Sequence, residues 1–184
     1  TVRAGRSRFN LQTLPAADYP RIGQGQDQVQ ALALPQKDLR GLLKSVEFAM
    51  AQQDIRYYLN GMLLVIDKGT LQAVATDGHR LSWASLAIQG SYERQEVILP
   101  RKTVLELQRL LRDEDTPIEL RFAGNQAKFA FSGMEFVTKL VEGKFPDYNR
   151  VIPKNHKNAI VLGRVPLLAS LQRAAIMTSE KFKG

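Results

Sequence analysis

Residues 75–81, Ala75-Thr76-Asp77-Gly78-His79-Arg80-Leu81, put a hydroxyl, a carboxylate, an imidazole and a guanidinium within one short stretch. That set invites a hydrolytic reading. A nucleophile, a base and an orienting acid must converge from separate elements, however, and neighbours across one turn do not supply that geometry. The chain has two histidines, His79 and His156, and no cysteine, so a dense metal-ligand cluster is excluded as well. No catalytic residue, no metal and no other cofactor is expected. What the stretch does offer is a mixed polar and apolar lip at the mouth of a hairpin. Taken alone, that also describes an ordinary solvated tip.

A second group of residues is cationic. Lys37, Arg40 and Lys44 fall in one helical segment; Arg101, Lys102, Arg109 and Arg112 fall in another, and Glu47 and Glu106 interrupt them without balancing them. Solvated helix faces are commonly charged. One sign repeated at equivalent places is the pattern that neutralises phosphates without reading bases. The formal charge of +8 and the pI near 9.9 agree with a polyanion partner. The hydrophobic share of 44% and charged share of 24% are those of a soluble globular protein. No apolar run approaches the roughly 20 residues of a membrane span. The absence of cysteine excludes disulfides and favours a reducing compartment. The sequence begins at Thr1 with neither a starting Met nor a signal-like apolar stretch, and reads as an excised fragment.

These residues need elements to position them. Residues 1–22 read as one strand followed by an extended connector, and 23–28 as a polar linker. Residues 29–34 alternate as a strand. Pro35 then opens a helix with Leu39, Leu42, Leu43, Val46 and Met50 on one face. A loop over 53–60 leads to hairpin strands at 62–66 and 71–75. Asp77-Gly78 follows as a tight primed turn, since glycine accepts the positive φ such a turn demands, and 81–86 is the next strand. Trp83 in that strand is expected in the core. A strand at 96–99 meets Pro100, which opens a second helix with Val104, Leu107, Leu110 and Leu111 inward. Strands at 118–122, 127–131 and 135–140 follow, separated by Gly-Asn and Ser-Gly turns. Near Gly163 a strand end leads into a third helix with Leu168, Leu171 and Ala175 facing in.

Strand-to-helix junctions at Pro35, Pro100 and Gly163 recur at intervals of about 65 residues, the mark of a reused structural unit. Asp18-Tyr19-Pro20-Arg21-Ile22 echoes Asp147-Tyr148-Asn149-Arg150-Val151 at about twice that interval. The unit is longer than solenoid repeats and reads as a small α+β subdomain. Two of them make a central domain over roughly 29–145.

Arg56-Tyr57-Tyr58-Leu59-Asn60-Gly61, residues 75–81, Pro100-Arg101-Lys102 and Phe145-Pro146-Asp147-Tyr148 closely resemble the bacterial β sliding clamp family, the processivity subunit of DNA polymerase III. Ala174-Ala175-Ile176 and Ser179-Glu180-Lys181-Phe182 extend the resemblance over essentially the whole chain. It implies an α+β DNA-clamp fold: a middle domain of two β-α-β-β-β repeats, with helices on one side and antiparallel sheets on the other. It implies three pieces, with 1–25 ending a first domain, 26–150 a complete second and 151–184 the start of a third.

The resemblance further implies a non-catalytic ring subunit, a head-to-tail homodimer around duplex DNA held without sequence specificity. Short peptides from DNA polymerase III and other polymerases, the clamp loader and mismatch-repair proteins would dock in a cleft. Matching positions for that cleft are Leu59, Thr76, Gly78, His79, Arg80, Leu81, Pro146, Arg150 and Val151. DNA contacts map to Gln53, Tyr57, Tyr58, Arg101 and Lys102, and the neighbouring subunit to Arg173, Ile176 and Met177. No cofactor and no membrane belong to this picture, and the location implied is the bacterial cytoplasm, with the nucleoid. The rival reading is a free-standing basic nucleic-acid-binding module without ring topology, which would bind linear DNA tightly and with strong salt sensitivity. The net basic charge departs from the acidic balance of that family.

Overall fold

The computed structural model describes residues 1–18, 31–155 and 157–178, in two compact units, Thr1–Phe145 and Pro146–Gly184. In the first unit, strands β1 (Val2–Ala4) and β2 (Ser7–Phe9) form an exposed antiparallel hairpin. A single strand over this stretch is thereby corrected, because Gly5 lets the chain reverse after three residues. The linker at 23–28 and most of the 18–22 echo lie outside the described residues, as does His156.

Two copies of one unit follow. The first runs β3 (Leu32–Pro35), α1 (Gln36–Lys44), β4 (Gly61–Asp67), β5 (Thr70–Thr76) and β6 (Leu81–Ala87). The second runs β7 (Gln95–Pro100), α2 (Arg101–Leu110), β8 (Pro117–Ala123), β9 (Gln126–Phe131) and β10 (Met134–Lys139). Each copy lends its first strand to the other. One sheet has the order β10-β9-β8-β3 and its counterpart β6-β5-β4-β7, all antiparallel. Leu34 pairs with Ile118 across one seam, and Leu99 with Met62 across the other.

The helix starts repeat this symmetry. Gln36 N–H donates to the Thr116 carbonyl at 3.0 Å, and Arg101 N–H to the Asn60 carbonyl at 3.0 Å. Each acceptor directly precedes the strand paired to the helix's own leading strand. Helices α1 and α2 touch each other, and Gln108 Nε2 donates to the Arg40 carbonyl at 3.2 Å where they meet. Beneath them one core gathers Leu39, Leu43, Val104 and Leu107 from the helices with Met62, Leu64, Leu71, Ile118, Leu120 and Phe129 from both sheets. The single buried amide side chain, among the described residues, is satisfied: Gln36 Nε2 donates to Thr116 Oγ1 and Ser132 Oγ, and its Oε1 accepts from Arg112 N–H.

Helix α1 is shorter than its apolar spacing suggests. Ser45 Oγ donates back to the Gly41 carbonyl at 2.8 Å, and the chain leaves the helix there. Val46 and Met50 are still buried, but from the 3₁₀ turn Glu47–Ala49 and its flanks. Leu111 is likewise buried just past the end of α2, and Leu110 is half-buried.

Two expectations about the β5–β6 region are corrected. The primed two-residue turn belongs to Lys68-Gly69, with φ of 44° and 77°. Thr76 pairs with Leu81, so residues 77–80 form a four-residue loop in which only Gly78 takes a positive φ, 89°. Trp83 is 48% exposed rather than core. Alternation along the edge strand β6 turns Ala84 and Leu86 to the core and Trp83 to the opposite face, where its Nε1 donates to Gln72 Oε1.

The second unit contains a 3₁₀ turn, Tyr148–Arg150, and α3 (Arg164–Ala175). Residues 157–163 form no strand, contrary to expectation. An extended segment needs a neighbour to complete its ladder, and this unit supplies none among the described residues. Leu168, Leu171 and Ala175, expected to face in, are exposed, since among the described residues of this unit no sheet accompanies α3.

Candidate partner-binding loop and nucleic-acid face

The loop at 77–80 is built by short polar side chains that bind their own backbone. Asp77 Oδ1 accepts from the N–H groups of His79 and Arg80, each at 2.9 Å, and its Oδ2 from Arg80 Nε at 3.1 Å. Thr76 Oγ1 donates to the Arg80 carbonyl at 2.7 Å and accepts from Gly78 N–H at 3.1 Å. The two backbone N–H donors, Arg80 first, and then the Arg80 charge hold the Asp77 carboxyl below its usual range. Both Asp77 oxygens serve the loop itself, so this carboxylate orients no imidazole and the loop is no relay. Among the described residues no group of three His, Cys, Asp or Glu could hold a metal.

Exposure separates the predicted cleft residues. Gly78, His79 and Arg80 are exposed at the loop tip, Thr76 and Leu81 are half-buried at its base, and Leu59 is 2% exposed beneath the surface. The Arg80 guanidinium lies 5.7 Å from the centroid of the exposed Phe48 ring. Ser82 Oγ ties β6 to the end of α1 through the Ser45 carbonyl at 2.8 Å. Pro146, Arg150 and Val151 belong to the second unit and are exposed there. Asp147 caps Asn149 N–H and pairs with Arg150 Nε at 3.0 Å. Arg173, Ile176 and Met177 sit exposed at the end of α3, with Arg173 Nη2 on Ser170 Oγ.

Residues 51–60 contain a feature that spacing alone did not suggest. Asn60 folds back on Asp54, accepting its N–H at 2.9 Å and donating to its carbonyl at 2.8 Å. Tyr57 and Tyr58 then lie on the 3₁₀ turn Tyr57–Leu59, within the expected loop. Tyr57 is 57% exposed, Tyr58 half-buried, and the rings meet edge-on at 5.8 Å. Gln53 is exposed beside them at φ 56°. Because Arg101 N–H binds the Asn60 carbonyl, the start of α2, with Arg101 and the exposed Lys102, abuts this turn. The five predicted DNA contacts are thus brought to one neighbourhood.

Not every helix cation is free to meet a phosphate. Lys37 pairs with Asp115 at 2.6 Å, Arg109 with Glu106 at 3.4 Å and Arg112 with Glu114 at 3.8 Å. Lys44, Arg40, Arg101 and Lys102 have no ion pair among the described residues, and Arg40 Nε is buried without a hydrogen-bond partner.

Asp54 is held firmly in its carboxylate form. Its carboxyl is lowered from 3.8 to about 2, first by the hydrogen bonds of the Arg56 side chain and then by that of the Arg56 N–H. A carboxyl depressed on folding contributes stability above its ordinary value and loses it as pH falls through the folded value. The Asp54–Arg56 pair is therefore expected to be complete above about pH 4 and to loosen toward about pH 2. A side-chain carboxyl NMR titration should give a midpoint near 2. A midpoint at the ordinary value would mean the pair does not form in solution.

The family model of the DNA polymerase III beta subunit, central domain, matches residues 33–147. The beta sliding clamp of Vibrio cholerae is 45% identical over 183 residues, and that of Pseudomonas aeruginosa 46% over 184; each match covers 100% of this chain and 50% of the relative. The crystal structure of the DNA polymerase III subunit beta from Pseudomonas aeruginosa superposes with a TM-score of 0.90 at 46% identity, over 98% of this chain and 50% of that one. The sliding clamp of Bacillus subtilis gives 0.90 at 27% identity, over 97% and 47%. The chain spans about half the length of the curated relatives it matches. Through a central-domain match that takes in both repeats, and through relatives alike along its whole length, the chain belongs to the DNA polymerase III beta subunit family, the β sliding clamps.

Proposed function

We propose that this chain is the middle portion of a sliding-clamp subunit, one that encircles duplex DNA as a head-to-tail homodimer and tethers replication and repair proteins without catalysing a reaction. Residues 1–25 would close a first domain, 26–150 form the second and 151–184 open the third. Gln53, Tyr57, Tyr58, Arg101 and Lys102 would touch DNA. Leu59, Thr76, Gly78, His79, Arg80 and Leu81, with Pro146, Arg150 and Val151, would receive short peptides from DNA polymerase III, other polymerases, the clamp loader and mismatch-repair proteins. Arg173, Ile176 and Met177 would meet the next subunit. The setting would be the bacterial cytoplasm.

The observation that supports this most is the unpaired cationic set on the two adjoining helices, Arg40, Lys44, Arg101 and Lys102, beside the turn that carries the exposed Tyr57. Cations without bidentate partners suit loose, sequence-independent phosphate contact, which lets a topologically held ring slide. In the test, the full-length protein carrying this sequence is loaded onto nicked circular DNA, and the circle is then cut. Retention on the circle and release after linearisation is expected. Equal, salt-sensitive retention on both forms would favour the free-standing basic module.

A further inference from the structure

We infer that Asp54 and Arg56 form a positioning pair, an arm that holds the loop at 77–80 in the shape that receives a peptide. The inference rests on the partner-binding reading of that loop. Neither residue belongs to the predicted cleft or DNA set, yet their geometry leads directly to the loop.

The arm begins on a fixed base. Asn60 binds both the N–H and the carbonyl of Asp54, so the Asp54 backbone cannot drift from the turn. The Asp54 carboxylate then takes three N–H groups of Arg56: the backbone N at 2.8 Å and Nε at 3.0 Å on Oδ1, and Nη2 at 2.8 Å on Oδ2. A guanidinium held in this forked way has lost the swing of its long side chain. From that fixed position Nη2 also donates to the Asp77 carbonyl at 3.4 Å. The planar group lies against Gly78 so closely that a Cβ there would meet Nη2 at 3.0 Å and Nη1 at 3.3 Å.

Gly78 therefore answers two demands, a φ of 89° and room for a guanidinium at its back. The internal bonds of Asp77 and Thr76 shape the loop but do not fix where it sits. Arg56 does, by joining it to the turn that carries Tyr57 and Leu59; the Arg56 carbonyl also accepts from Leu59 N–H at 2.8 Å. An exposed ion pair adds little to overall stability. Its contribution here is the location of a recognition loop, which a visiting peptide would otherwise have to order on binding.

Asp54 touches the loop only through Arg56, and that makes the pair testable. Asp54→Asn, Arg56→Gln and the double variant would be made in the full-length protein. Amide hydrogen exchange would be read at Gly78, His79 and Arg80, and affinity measured for a synthetic peptide bearing one Gln and leucine anchors. Each single change is expected to speed loop exchange and weaken the peptide by roughly threefold to tenfold, with the double variant no worse than either. Unaltered exchange in β4 and β5 would show the fold intact. Unchanged loop exchange in both single variants would overturn the arm. Weaker peptide binding in Arg56→Gln but not Asp54→Asn would also overturn it, making Arg56 a direct contact. If the unmodified protein ignores the peptide while the exchange response persists, the arm stands and the partner-binding reading of the loop fails.

Discussion

Replacing Gly61 with alanine is expected to destabilise the first unit by about 3 kcal/mol, at the upper end of ordinary overpacking. Gly61 is the first residue of β4 and lies opposite Pro100 at the seam where the two repeats exchange strands. A Cβ there would sit 2.4 Å from the Leu99 carbonyl oxygen and 3.0 Å from Ile98 Cγ2. The first obstacle is backbone at the end of the β4–β7 ladder, so no side chain can simply turn aside. Relief requires β4 and β7 to part, and Arg101 N–H binds Asn60 one residue away. Thermal unfolding followed by circular dichroism should show a loss of roughly 10 °C. Gly41→Ala is the matched control. That position lies inside α1 with nothing within 4 Å of a new Cβ, and alanine there should raise stability by up to about 1 kcal/mol. A Gly61→Ala melt equal to that of the unmodified chain would mean the seam is looser than its geometry.

Much of the fold could be read from periodicity because each repeat writes its pattern twice. Pro35 and Pro100 both end a strand and stand before a helix, and the apolar faces of α1 and α2 are the expected ones as far as Leu43 and Leu107. Partner choice was not legible. Alternation tells which residues of β3 face the core, but nothing local says that β3 joins β8 instead of the strands of its own repeat. Trp83 illustrates the same gap, for a large aromatic residue looks like core until the face opposite the helices is known. The Asp54–Arg56–Asn60 assembly escaped for another reason. Its side chains bind backbone groups two and six residues away, a link that leaves no hydrophobic period. Motif resemblance supplied what physics could not, the grouping of Gln53, Tyr57, Tyr58, Arg101 and Lys102, and the Arg101–Asn60 bond gives that grouping a mechanical cause.

The exchange of strands also explains why two helices from distant parts of the chain lie side by side. Each helix begins where its leading strand, already paired in the other sheet, runs out. Both must then cross the core together, which brings α1, with Arg40 and Lys44, against α2, with Arg101 and Lys102. The juxtaposition of the two cation-bearing helices is thus a consequence of topology, and damage to the core should be separable from loss of those cations.

Phe129→Ala gives that separation its sharpest form, with an expected cost of about 4 kcal/mol. Phe129 is fully buried at the centre of β9, opposite Leu120 on β8 and Phe136 on β10. Its ring meets Phe122 edge-on at 6.4 Å and 85°, and Phe136 at 6.2 Å and 55°. Removing it deletes the shared member of both aromatic pairs and opens a cavity between strands whose ladders resist collapse. Urea unfolding should show a lower midpoint with an unchanged slope, since the surface exposed on unfolding stays nearly the same. Phe129→Leu should cost less than half as much, about 1.5 kcal/mol, because volume is largely retained. Below the variant's transition, DNA affinity and its salt dependence should equal those of the unmodified protein if the proposed DNA contacts hold, because the unpaired cations lie on helices α1 and α2, which keep their own hydrogen bonds. A DNA defect that persists in fully folded Phe129→Ala would mean that the cationic surface depends on fine core packing, and not on strand exchange alone.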